Sequence, residues 1–114
     1  EPRDYLAHDF RVAERGGRVE GFSVARRLLP DESELLNLAV DPDCRRRGVG
    51  TALARDLYAR HPGRVYLEVR ESNQAARKFY KALGFKELAV RPQYYQNPAE
   101  GAVVMRLRSC YCHK

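Results

Sequence analysis

The sequence has no tryptophan and a single methionine, and no apolar run approaches the length a helix needs to cross a bilayer. Its first ten residues, EPRDYLAHDF, carry charges throughout, so no secretory signal peptide is expected and the expected home is the cytoplasm. Cysteine is scarce as well: Cys44, Cys110 and Cys112 leave an odd thiol, which argues against a disulfide framework and for reduced thiols. Cys110, Cys112 and His113 supply three ligands in a terminal tail with no fourth nearby in sequence, so no metal is expected. Internal repeats and low-complexity linkers are absent too. At 114 residues, a single domain over 1–114 with one core is expected. What is present is the composition of a soluble globule, 44% apolar and 32% charged, with a net charge of +6. Nearly all the cations are arginine, the side chain suited to forked contact with phosphate.

The chain is organised around LLNLAVDPDCRRRGVGTALARDL at 35–57. The apolar run LLNLAV, stopped by Asp41 and Pro42, reads as a strand buried on both faces. Beyond the turn, Val49, Leu53 and Leu57 recur every four residues, with Ala52 between them, as one face of a helix. Gly48 and Gly50 therefore sit at a helix N-terminus, where the first amides lack helical partners and the peptide dipoles add positive charge. Such a terminus can cradle phosphate, and Arg45, Arg46 and Arg47 add full charges beside it. Two commoner phosphate loops are excluded. A P-loop needs Lys and then Ser or Thr after its last glycine, but Gly50 precedes Thr51 and Ala52; the dinucleotide fingerprint wants a small residue where Leu53 stands. On these residues alone, a phosphate cradle and a plain strand-to-helix turn both stay open.

Around this stretch, FRVAERGGRVEGFSVARRLLP reads as a hairpin from Phe10, turning at Gly16 and Gly17, with a second strand over 19–29 ended by Pro30. An acidic turn is expected at 31–34. The helix from Val49 should stop near Arg60 and His61, since Pro62 and Gly63 cannot continue it, which makes His61 a partner of the helix dipole rather than a catalyst. Over 64–70, Val65, Leu67 and Val69 alternate with Tyr66, Glu68 and Arg70. Ser72 or Asn73 caps a second helix with the stripe Ala76, Phe79, Tyr80 and Leu83, and Gly84 stops it. Segments 85–90 and 102–107 read as two more strands around a Tyr, Asn and Pro loop. The pattern is an α/β domain with a mostly antiparallel sheet and at least two packed helices.

The motif Arg-x-x-Gly-x-Gly at 45–50, after a strand ending AVDP, resembles the pyrophosphate loop of the GNAT N-acetyltransferases, which hold acetyl-coenzyme A. YLEVRESNQAA from Tyr66, FYKALGF from Phe79, and RPQYY from Arg91 closing on AVVMRL are similar to the RimI-type ribosomal-protein-alanine acetyltransferases, in order and spacing over 34–107. The resemblance implies the GNAT fold, with parallel strands ending at Val40 and Arg70 that splay apart to admit pantetheine. It also implies transfer of acetyl from acetyl-coenzyme A to a primary amine, foremost the N-terminal α-amine of a protein such as a ribosomal protein. Direct attack in a ternary complex is expected, because Cys44 adjoins the phosphate loop, a pantetheine arm away from the thioester.

The transfer needs a deprotonated amine, and an α-amine with a pKa of about 8 is mostly protonated at neutral pH. In the family pattern Glu68 is the base and Tyr80 the acid that protonates the thiolate. By themselves these residues also read as a surface carboxylate paired with Arg70 or another arginine, and as a core tyrosine. The resemblance further assigns Asn73 to the cofactor arm, although a helix cap explains it equally well. Leu38, Ala39 and Val40 would meet the pantetheine and the acetyl carbonyl through main-chain groups. Arg45, Arg46, Arg47, Gly48, Val49, Gly50 and Thr51 would hold the pyrophosphate. Asn37 and Glu68, with Tyr94 and Tyr95 in a loop before the last strand, would shape the acceptor slot.

The chain departs from the family pattern at its start. GNAT proteins place a strand and one or two helices ahead of the hairpin, whereas EPRDYLAHD stands there. An N-terminally truncated form is therefore expected, with one wall of the acceptor groove missing and the Phe10 strand left as an exposed edge that invites a homodimer. Two alternatives follow: a coenzyme A-binding module with impaired catalysis, or an acetyltransferase for a lysine or small-molecule amine. No RNA-binding motif is recognisable, so neither a direct nucleic-acid role nor a membrane partner is expected.

Overall fold

Three antiparallel strands and one helix make the first of two compact units, which divide between Val65 and Tyr66 in a computed structural model describing residues 8–96 and 99–107. Cys110, Cys112 and His113 lie outside the described residues. Strand β1 (His8–Arg15) pairs with β2 (Arg18–Leu29), and β2 with β3 (Glu32–Val40). The β1–β2 turn is Gly16 and Gly17, at φ 58° and 82°; two successive positive φ values suit the right-handed twist of a hairpin and favour glycine at both positions. The acidic turn expected at 31–34 is shorter than that. Arg26 sits opposite Glu34 and bonds it at 3.0 Å, so the acidic residues are drawn into β3 and only Pro30 and Asp31 turn.

Nor is β3 buried on both faces. The pairing steps from Val24–Asn37 to Ala25–Leu35, which leaves Leu36 as the extra residue of a β-bulge. Because of that insertion Leu35 and Leu38, three apart, both enter the core, while Leu36 is 41% exposed. Helix α1 (Val49–Arg60) covers the core side with Val49, Leu53, Ala54, Leu57 and Tyr58; Ala52, expected on that face, is exposed. The helix comes close enough that a Cβ on Gly21 would lie 2.7 Å from the Ala39 carbonyl oxygen and 3.2 Å from Leu53 and Val49.

At the end of α1 the His61 ring is buried, 2.7 Å through Nε2 from Asp9 Oδ2 and 3.2 Å through Nδ1 from Ser33 Oγ. A carboxylate can only accept, so Nε2 donates and Nδ1 receives the Ser33 hydroxyl. Burial, then the nearby Arg27 and Arg60 guanidiniums, hold this imidazole below its ordinary pKa, and Arg60 shares the Asp9 charge. His61 is thus a neutral bridge from helix end to β1 and β3, not the cationic dipole partner expected.

The second unit comprises β4 (Arg64–Arg70, which begins just before the division), α2 (Gln74–Ala82), β5 (Phe85–Tyr95) and β6 (Glu100–Leu107). The strands are antiparallel in the order β4, β6, β5. As the alternation required, Leu67 and Val69 are buried while Tyr66, Glu68 and Arg70 are half-buried on the other face. Asn73 caps α2, its side-chain oxygen accepting from the Ala76 amide at 3.1 Å. Gly84 (φ 111°) ends the turn, and Arg77 ties the helix to β5 through Glu87 at 2.8 Å. That guanidinium's hydrogen bond is the main cause holding the Glu87 carboxyl below its usual range.

Both last strands run longer than their apolar patterns. Tyr94 and Tyr95, expected in a loop, belong to β5. The pairing there passes from Arg91–Ala102 to Tyr95–Glu100, so residues 92–94 bow out against Gly101 alone. Pro92 has no amide to give to a ladder and fits such an interruption on a terminal strand.

Candidate active site

In the first unit the approach to the loop is pinned before the arginines begin. Asp41 accepts from the Asp43 amide at 2.9 Å and from Arg18 at 3.0 Å, which together hold its carboxyl below the usual range, the amide contributing most. Its own amide donates to the Glu20 carbonyl at 2.8 Å. A 3-10 turn, Pro42–Cys44, follows and buries Cys44 completely, which leaves its thiol no access to a substrate. The chain then passes through Arg46 (φ 66°) and Gly48 (φ 78°) into α1, with Arg45, Arg46 and Arg47 all exposed. Gly48 is the N-cap and no side chain caps the helix. The Ala52 amide donates to the Gly48 carbonyl at 2.9 Å, so the amides of Val49, Gly50 and Thr51 precede the ladder. These amides, with three flanking guanidiniums, form a donor set that suits a pyrophosphate. Just before the turn, Asn37 is exposed, Leu38 is buried, and Ala39 and Val40 are half-buried on β3.

In the second unit the structure gathers Glu68, Tyr94 and Tyr95 into one cluster and adds two arginines. The Glu68 carboxylate, 16% exposed, receives Arg91 Nη1 at 2.5 Å. The Arg91 guanidinium lies 4.4 Å from the centre of the Tyr94 ring, and Tyr94 meets Tyr95 edge-on at 5.1 Å. Arg70 lies 4.3 Å over Tyr95 and donates to Glu100 at 2.9 Å; Glu100 also accepts from the Ser72 amide and hydroxyl at 3.0 and 3.1 Å. The Arg70 bond is the first reason the Glu100 carboxyl is held low. Burial, then the Glu68 charge, raises the Tyr95 phenol. Tyr80 belongs to a second group, half-buried and edge-on to Phe79 and Phe85 at 5.3 and 5.7 Å. Asn73 does act as a cap, and that bond uses its oxygen and leaves its NH₂ out.

Arg70, Ser72, Arg91 and Glu100 were not singled out as site residues from sequence. RPQYY contained the signal for Arg91, but its partner became visible only once β5 and β4 flanked β6. Among the described residues there is no group of three or more His, Cys, Asp or Glu side chains that could hold a metal, and no helix long and apolar enough to cross a membrane.

The first unit thus carries a helix N-terminus with uncapped amides and exposed arginines after a bulged strand, and the second a carboxylate held among tyrosines and arginines. Residues 2–85 match the model of the Acetyltransferase (GNAT) family, and the chain belongs to that family. It is 39% identical over 99 residues to the ribosomal protein bS18 alanine N-acetyltransferase of Escherichia coli strain K12, an alignment covering 82% of this chain. The chain spans 66% of that enzyme's length. The crystal structure of the ribosomal-protein-S18-alanine N-acetyltransferase from Escherichia coli superposes with a TM-score of 0.68 at 33% identity, covering 94% of this chain and 76% of that one. A Bacillus anthracis structure in complex with acetyl coenzyme A gives a TM-score of 0.75 at 25% identity, covering 90% and 62%.

Proposed function

We propose that residues 1–114 act as one N-acetyltransferase domain, moving acetyl from acetyl-coenzyme A to the N-terminal α-amine of a protein, with ribosomal proteins as the first candidates, in the cytoplasm. The observation that carries this reading is the Glu68 carboxylate, half-buried on β4 and flanked by Tyr94, Tyr95 and their arginines. The named relatives support it by their activity.

Coenzyme A would be held at its pyrophosphate by the amides of Val49, Gly50 and Thr51 and by Arg45, Arg46 and Arg47; bound, it supplies the acetyl thioester. Main-chain groups of Leu38, Ala39 and Val40 are assigned to its arm and to the acetyl carbonyl, where one donor is worth about 10² to 10³ in rate. Glu68 takes the amine's proton, directly or through a water, and Tyr80 returns one to the leaving sulfur as the N–C bond forms and the C–S bond breaks, in a ternary complex. Asn37, Tyr94 and Tyr95 shape the acceptor slot. The exposure of Phe10 (62%) and Val12 (50%) on β1 also supports self-association, which light scattering at high concentration tests.

The first experiment is transfer to peptides beginning with Ala, Ser or Met, a lysine peptide and a polyamine. Turnover on an Ala-starting peptide is expected. Glu68→Gln should lower it by about 10² to 10⁴ near neutral pH and by less at high pH, where the amine is already neutral; an equal deficit at every pH removes Glu68 from the role. Calorimetric binding of coenzyme A with no acceptor modified would replace the enzyme by a binding module.

A further inference from the structure

We infer that Arg91 is a stand-in for the acceptor: its guanidinium occupies the seat on Glu68 that the acceptor's ammonium takes, so acceptor binding is an exchange of one cation for another. This rests on Glu68 lining the acceptor slot, as proposed above.

The two members of the ion pair are held very differently. Glu68 sits on β4 opposite Val104 and is 16% exposed, so its carboxylate has little water and needs a partner. Arg91 comes from β5, on the far side of β6, where it stands opposite Ala102. Its guanidinium reaches across a whole strand to make the 2.5 Å contact, and its side chain is 57% exposed. The guanidinium lies over Tyr94, itself 43% exposed, a surface on which a cation can rest whether or not it touches Glu68. Arg70, the other cation of the cluster, is engaged by Glu100 and covers Tyr95. Arg91 is the partner built to leave.

The exchange accounts for the kind of acceptor that fits. An α-amine at neutral pH arrives mostly as a cation and can replace the guanidinium with the carboxylate neutralised throughout. An alcohol or an amide brings no charge and would leave Glu68 unpaired on displacing Arg91. A guanidinium does not give up its proton, so the seated arginine holds the place without doing the acid–base work. The slot therefore favours cationic amines over neutral acceptors.

The test is Arg91→Met, which keeps an apolar stem for Tyr94 and removes the competing charge. Binding of an Ala-starting peptide amide is measured by calorimetry with coenzyme A present, alongside steady-state kinetics. An exposed ion pair of this kind is worth up to about fivefold, so the variant should bind the peptide about two- to fivefold more tightly, with KM lowered to match and kcat little changed. Added methylguanidinium should weaken peptide binding to the variant back toward the wild-type value, and Arg91→Lys should bind like wild type. Equal or weaker binding by Arg91→Met, or a fall in kcat at unchanged KM, would make Arg91 a fixed part of the site and overturn the inference. Should wild type modify no acceptor, the acetyl-transfer reading fails by itself. The calorimetric comparison then still decides: tighter binding by the variant supports the exchange, and equal, weaker or absent binding defeats it.

Discussion

Ser23 and Asn73 put short polar side chains to opposite uses. Ser23 is fully buried opposite Leu38, and its hydroxyl has no hydrogen-bond partner among the described residues. An unsatisfied buried hydroxyl costs about 1–3 kcal/mol, so Ser23→Ala should raise the urea midpoint, with a gain near 1 kcal/mol. Asn73 spends its oxygen on the α2 cap, and Asn73→Ala should cost about 1 kcal/mol. Asn73→Asp keeps an acceptor at the cap and puts a favourable negative charge at the helix start, but it removes the NH₂. Coenzyme A binding then separates its two readings. If the NH₂ bonds the cofactor arm, Asn73→Asp binds coenzyme A more weakly at full stability; unchanged affinity leaves Asn73 as a cap alone.

The element at issue is the loop into α1, where two residues in left-handed conformations pull in opposite directions. At Gly48 a Cβ would meet nothing within 4 Å, so Gly48→Ala should cost about 1–2 kcal/mol from backbone strain alone. Arg46 already carries that strain at φ 66°, and Arg46→Gly should relieve it while weakening coenzyme A binding through the lost guanidinium. Thermal melts and coenzyme A calorimetry on both variants check this pair; an Arg46→Gly protein with unchanged affinity would take Arg46 out of the phosphate site. The loop's position in the chain was legible because its glycines, arginines and helical spacing are consecutive. The bulge at Leu36 was not, because LLNLAV has the same composition whether its six residues alternate regularly or skip one.

At the scale of the whole molecule, acid should unfold the chain in two stages. The His61 imidazole is held below its ordinary value, chiefly by burial, so below about pH 6.5 the unfolded chain binds a proton that the native chain refuses. Its contribution is complete above that pH and is lost as pH falls toward the native value. Asp41, Glu87 and Glu100 are depressed carboxyls; their contributions hold above about pH 4 and are lost as pH falls through their native values. The melting temperature should therefore fall between pH 7 and 5, then again below about pH 4. In His61→Gln the first fall should vanish and the second remain; an unchanged first fall would assign it to another group.

The place of the Arg and Gly loop at a helix start, the hairpin, the two helices and the alternating face of β4 were all determined by the sequence, since each depends on residues near one another in the chain. Tertiary structure alone decided which cation sits on Glu68, that Tyr94 and Tyr95 stand in a strand, and that His61 is a buried neutral bridge. Those outcomes depend on β6 lying between β4 and β5, on β5 pairing again with β6 at Tyr95 beyond the irregular step, and on Asp9 meeting a helix end 52 positions away. Local periodicity carries no term for such distant neighbours; only packing brings them together.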